Sequence, residues 1–366
     1  MRLLLLIFTL LLRLIASAKI YTIAGTESGG SSSGVGTSSK LNYPYQVAVD
    51  RGCNVLYLAE FSANMVRKLV QTTGILSTLA GTGGTTYDAS CTYAPSCNLN
   101  QPLGLVLDSY FTTLYVGEFG GGMVRRIDLA TNTISTYAGT GENNWNGDGL
   151  AATSTKFNQI HGMAMDSLNN LYIADTANNR VRKIEYTTNI VSTVAGNGQA
   201  AYSGDGGWGF DASLHLPRGV AFDKKRSVLY IGDSGNCRIR MVDNILRINT
   251  FAGTGECKLG KNDVVRTDAQ MDNPEGMDVD QSGNLFFVDT NPAPKDGKVL
   301  SVWKVRKVSI DTDKITLIAG TGQSTYSSEQ EGIDATSANL YNPRAVSVDY
   351  IDNVRLSLSS RIILSY

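Results

Sequence analysis

The sequence predicts an all-β protein, a six-bladed β-propeller built of four-stranded antiparallel blades. Three observations predict it. An eight-residue phrase ending in aspartate starts at residues 43, 101, 159, 216, 273 and 342, spaced by 57 or 58 residues until a last interval of 69. Each copy is followed by further short apolar runs, and no segment after residue 18 holds a helical apolar period of useful length. The chain also opens, directly after a leucine-rich start, with a phrase that elsewhere closes a unit. A fixed period of this length encodes a small sheet that is stable only when stacked on its neighbours, which describes a propeller blade.

The first strand of each unit is the aspartate phrase, from "YPYQVAVD" at 43–50 to "NPRAVSVD" at 342–349. The second is "VLYLAE", "TLYVGE", "NLYIAD", "VLYIGD" or "NLFFVD", and the third is "MVRKL", "MVRRI", "RVRKI", "RIRMV" or "KVRKV". The fourth ends in "AGT" or "AGN", as in "LSTLAGT" at 76–82 and "ITLIAGT" at 315–321. All are short, β-branched or alternating, and bounded by Gly, Asn or Asp. Blades are therefore expected at 43–82, 101–140, 159–197, 216–254, 273–321 and 342–366, within one domain over 19–366. The last unit has room for three strands only. "KIYTIAGT" at 19–26 supplies the fourth, and pairing it with the end of the chain closes the ring and removes an open sheet edge.

The bulk numbers narrow the function. With 32 basic and 33 acidic residues the chain gives no electrostatic reason to expect nucleic acid or an anionic membrane as partner. Residues 1–18, "MRLLLLIFTLLLRLIASA", have the layout of a secretory signal cleaved after Ala18. The alternative is a membrane tether formed by the uncleaved segment, but Arg13 interrupts an apolar run too short to cross a bilayer. Disulfides persist in a secreted chain, and no Asn-X-Ser/Thr acceptor occurs.

Six internal copies separate structural residues from candidate functional ones. Asp50, Asp108, Asp166, Asp223, Asp280 and Asp349 recur in every unit, so each is expected to accept backbone N–H bonds in the following turn rather than join a cation ring. Acid at the end of the second strand (Glu60, Glu118, Asp175, Asp233, Asp289) faces arginine in the third (Arg67, Arg125, Arg182, Arg240, Arg306). These are expected to be exposed pairs worth about 0–1 kcal/mol each, on solvated blade edges. "NGDG" at 146–149 and "SGDGG" at 203–207 are weak calcium hints and good turn formers.

The units resemble NHL repeats over nearly the whole chain after residue 18, most closely in "NLYIADTANNRVRKI" (170–184) and "GDSGNCRIR" (232–240). Glu60 and Glu118 replace the usual Asp, and "NVRLSLSSRIILSY" (353–366) departs from the pattern altogether. The resemblance implies that first strands line a central channel, with the long connections and the second-to-third hairpins on one upper face. The position after the proline would then ring the upper channel mouth: Tyr45, Leu103, His161, Arg218, Glu275 and Arg344. Of these, Tyr45, His161, Arg218, Glu275 and Arg344 are the candidate ligand-binding residues, for a polar ligand or peptide terminus. The insertion "NPAPKDGKVL" (291–300) and the tryptophans at 145 and 208 add to that face.

Catalysis finds little support in the residues. Propeller amidating lyases use three channel histidines, whereas this chain has His161 and an out-of-register His215. The Glu, Asn and Asp constellation of calcium-dependent propeller lactonases has no match either. No catalytic, metal or cofactor residue is assigned. Cys91 is expected to pair with Cys97 and Cys237 with Cys257 on the upper face, which would leave Cys53 free in a lower turn. The expectation is a secreted, monomeric, non-enzymatic module binding a protein, peptide or glycan, with a channel-centred metal-dependent lyase or hydrolase as the alternative.

Overall fold

The structure is a computed structural model describing residues 18–26, 29–258, 260–291, 302–323 and 331–365. The expected leader, except Ala18, and nearly all of the 291–300 insertion lie outside those residues. The described chain forms six antiparallel sheets. Their first strands are Pro44–Val49, Pro102–Leu107, Ile160–Met165, Pro217–Asp223, Pro274–Val279 and Ala345–Val348. Each packs on the next around a closed ring, so the six line the axis. Among the described residues the only helical pieces are single 3-10 turns, and no helix is long and apolar enough to cross a membrane.

Both faces of every blade are covered by a neighbour, which is why second strands such as Leu171–Asp175 are buried at every position. Six apolar clusters fill the gaps, one between each adjacent pair of blades. The cluster between blades six and one sets Ala24 and Ile362 against Leu41, Val47 and Leu56. That cluster exists because the opening phrase is the missing strand: Ile20–Ala24 pairs antiparallel with Arg361–Ser365, Tyr21 opposite Leu364 and Thr22 opposite Ile363. On its other side Ile20 packs with Val346 and Phe286 between blades five and six.

Two expectations need correction. Blades one, three and five have five strands, because the incoming connection runs back along the outermost strand as Gly34–Val35, Leu150–Ala151 and Val264–Val265. This covers backbone groups that an outer edge would otherwise leave open.

The acid–arginine pairs are also not exposed. Arg67, Arg125, Arg182, Arg240 and Arg306 are at most 2% accessible, and the second-strand acids are equally buried. Separations run from 2.9 Å for Arg306–Asp289 to 3.6 Å for Arg125–Glu118. The incoming connections bury them. Arg67 Nη2 donates to Ser32 O and Ser33 Oγ, and Arg306 Nη2 to Lys261 O. Arg182 and Arg240 reach Asp148 and Asp205, so the Gly-Asp-Gly turns present their carboxylates to arginine. Such a pair ties three layers of one blade together, and removing one partner would strand a buried charge at a cost of about 3–5 kcal/mol.

Blade six achieves a similar closure differently. Arg355 stands opposite Ser347 where other blades place Tyr57, Tyr115, Tyr172, Tyr230 or Phe286, and it pairs with Asp349. The aspartates ending the first strands accept turn amides in all six blades, as Asp50 Oδ1 does from Asn54 N and Val55 N at 2.7 and 2.8 Å.

Candidate functional site

The upper channel mouth is built from the residue after each first-strand proline or its replacement, Ile160. Four of the blades carry glycine next, and a Cβ there would collide with the neighbouring strand. A Cβ on Gly104 would sit 2.6 Å from His161 O, and one on Gly219 would sit 2.4 Å from Glu275 O. The glycines therefore let adjacent first strands approach closely and draw the six mouth side chains together.

The six are not equivalent. Tyr45, Leu103 and Glu275 are buried, His161 is half-buried, and the side chains of Arg218 and Arg344 remain 31% and 22% exposed. Glu275 is the centre. Its Oε1 accepts from Arg218 Nη1 and, at 2.6 Å, from Asn273 Nδ2. Its Oε2 accepts from Tyr45 Oη at 3.1 Å and lies 3.9 Å from Arg344 Nη1. Blades one, four, five and six thus meet on one carboxylate. Burial works against that charge, but the two guanidinium groups hold the carboxyl below its usual value. Burial and the Glu275 charge push the Tyr45 phenol up, so it stays protonated and donates.

The other half of the mouth is aromatic. His161 makes edge contacts with Tyr45 at 5.7 Å and Phe119 at 5.3 Å, and Phe61 lies 5.7 Å from Phe119. Burial, helped by the nearby arginines and opposed by Glu275, pushes the imidazole down to about 3, so it is neutral at physiological pH. Arg344 lies over Tyr43 and Tyr45 and donates to Tyr43 Oη at 3.2 Å, and Asn342 donates to the same oxygen.

Comparison with known proteins places this geometry. A family model described as "NHL repeat" matches residues 157–184, the third blade's first three strands. The chain thus carries an NHL repeat within a six-bladed propeller. It is 27% identical over 307 residues to human NHL repeat-containing protein 2, a match covering 74% of this chain and 40% of that protein. The chain therefore spans well under half the length of the curated relatives it matches first. Among solved structures, an auxiliary nutrient binding protein from Bacteroides thetaiotaomicron superposes with a TM-score of 0.66 at 14% identity, over 96% of this chain and 77% of that one. A gluconolactonase from Xanthomonas campestris superposes with a TM-score of 0.57 at 14% identity, over 96% and 92%. Identities this low establish the propeller alone.

In this propeller His215 stands apart from His161. Its amide donates to Asp233, and its ring lies against Gly235 in the blade-four hairpin. Cys91 is bonded to Cys97 and Cys237 to Cys257, while Cys53 is a free thiol. The two disulfides suit an oxidising environment. The grouping of Cys237, Cys257 and Asp272 has both sulfurs in a disulfide, which removes them as metal ligands.

Tyr43, Phe61, Phe119 and Asn273 are mouth residues that the position after the proline does not reveal. Their signal lies one step away in the repeat. Phe61 and Phe119 follow the second-strand acid where other blades have Thr176, Ser234 and Thr290. In blades three and four that hydroxyl donates to the next proline's carbonyl at 2.6 Å. Replacing it by phenylalanine in two adjacent blades builds an aromatic wall.

Proposed function

We propose that this propeller is a secreted, monomeric, non-enzymatic binding module that takes its ligand at the upper channel mouth. One observation carries the reading. Arg218 and Arg344 share the single carboxylate of Glu275, His161 is neutral, and both arginine side chains still reach solvent. The mouth therefore holds excess positive charge beside an aromatic wall, which favours a ligand with an anionic group and an apolar neighbour, such as a peptide C-terminus. Tyr45 and Glu275 form the floor that orients the arginines, and His161 with Phe119 offers the apolar side. The floor is already hydrogen-bonded through Tyr45, Asn273 and Arg218 on Glu275, so a ligand on the arginines leaves its partners in place.

Secretion rests on the residue 1–18 pattern and is supported by the two disulfides. A random-sequence peptide pool, made once with free C-terminal carboxylates and once with C-terminal amides, tests the reading on immobilised protein. The carboxylate pool should be captured, the amide pool should not, and Arg218→Gln or Arg344→Gln should abolish capture. Equal capture of the amides, or capture unaffected by both variants, would contradict it. Protein-bound zinc lost on His161→Ala would instead favour the lyase or hydrolase alternative.

A further inference from the structure

Below the mouth the channel opens into a cavity of about 280 Å³ that is lined by all six first strands and reaches the surface at the first-to-second-strand turns. None of the five candidate mouth residues lines it, so it is a separate space. The part of its wall contributed by the strands is mainly aliphatic or thioether, as with Leu105, Met163 and Met277. Within the strands Gln46, Asp278 and Ser347 interrupt that wall, and the turns below add charged residues of both signs. Asp278 occupies a level at which the other blades place Ala48, Val106, Ala164, Ala221 and Ser347, and Gln46 stands where four blades have glycine.

Asp278 differs from the other carboxylates around the cavity. Asp108, Asp223, Asp280 and Asp349 close their own turns and bond side chains there. Asp278 lies in the strand itself, and among the described residues it accepts only Val279 N and Val348 N at 2.8 Å and Ser347 Oγ at 3.4 Å. A carboxylate offers about four acceptor sites, so one direction remains open. Burial pushes its carboxyl up to about 6, leaving it charged at neutral pH in an apolar wall, where a counter-ion would be most effective. Among the described residues no hydrogen bond reaches the Gln46 amide, although it is half-buried and faces the same cavity. At the exit stand Lys224 and Lys225, and the charge of Lys224 acts on Asp278.

We propose that the lower channel binds a small aliphatic zwitterion, with its ammonium group on Asp278 and Gln46 and its anionic group at Lys224. Such a molecule carries both of the charges for which the lining offers partners, and the Met and Leu side chains of the strands face its carbon chain. The lining offers partners of both signs, Asp278 in the wall and Lys224 and Lys225 at the turns, so a molecule carrying both charges can use both where a single ion uses one.

The test uses leucine, methionine and ε-aminocaproate as probes, with hexylamine and hexanoate as single-charge controls, read by calorimetry on the whole protein. At least one zwitterion should bind more tightly than either control. Asp278→Asn should weaken it by about tenfold or more, the scale of losing one charge-assisted bond. Gln46→Ala and Lys224→Met should each weaken it too, and these surface-of-channel changes carry the test if Asp278→Asn does not fold. The proposal fails if no zwitterion binds, if hexanoate or hexylamine binds as well as the zwitterions, or if all three variants bind with wild-type strength.

Discussion

Glu118 and Arg125 form the same frame pair as their counterparts in the other blades, yet their surroundings differ. In blades three and four a loop aspartate supplies the arginine with a second acid, whereas Arg125 has the ring of Tyr87 at 5.2 Å. The pair is long at 3.6 Å, and among the described residues no hydrogen bond reaches Glu118 Oε1. Burial therefore outweighs the attraction of Arg125 and raises the carboxyl from 4.5 to about 7. The sign of its linkage follows. The folded protein takes up this proton more readily than the unfolded chain, so the contribution is complete below pH 4.5 and is lost as pH rises through about 7. Wild type should thus gain stability over Glu118→Gln between pH 8 and pH 5, by on the order of 1–3 kcal/mol in urea unfolding. A wild type that instead loses ground on acidification would show that Arg125 dominates. The sequence made the pairing legible through its five-fold recurrence. It hid the burial, because the covering atoms come from connections of unlike sequence: Ser32 and Ser33, Asp148, Asp205 and Lys261.

At the scale of elements, the first strands are where repeat and function meet. Their strand character is legible from alternation and from the proline that starts most of them. Their mutual distance is set by glycine, which recurs in four blades and is replaced by Gln46 and Ala345 in the others. Gly219 abuts Glu275 O, so Gly219→Ala must push the fifth blade's strand outward at the very residue that gathers Tyr45, Arg218 and Arg344. The expected cost is about 1–3 kcal/mol, read by denaturant midpoint. A Gly219→Ala protein as stable as wild type would mean the strands are free to separate, and the close-packed mouth would not hold. The mouth ring was legible as a set of positions, but its wiring was not. Tyr45 and Glu275 are 230 residues apart and meet only across the channel.

For the whole molecule, the six-fold count and the clasp were both legible, because period and phrase order survive even where individual residues drift. The degenerate 353–366 segment was the weakest part of that reading. It works because its strands keep what a blade needs: Val354, Leu356 and Leu358 buried toward the neighbours, with Ile362 and Ile363 packed beside the opening strand. Every other property of the protein, including the mouth and the cavity beneath it, depends on the ring being closed by that pairing. Amide hydrogen exchange tests this most directly. Peptides covering 20–24 and 361–365 should be protected together, to the level of the blade-three strands at 171–184. Exchange of 20–24 at the rate of an unpaired terminus, while the other blades stay protected, would contradict a closed six-bladed ring.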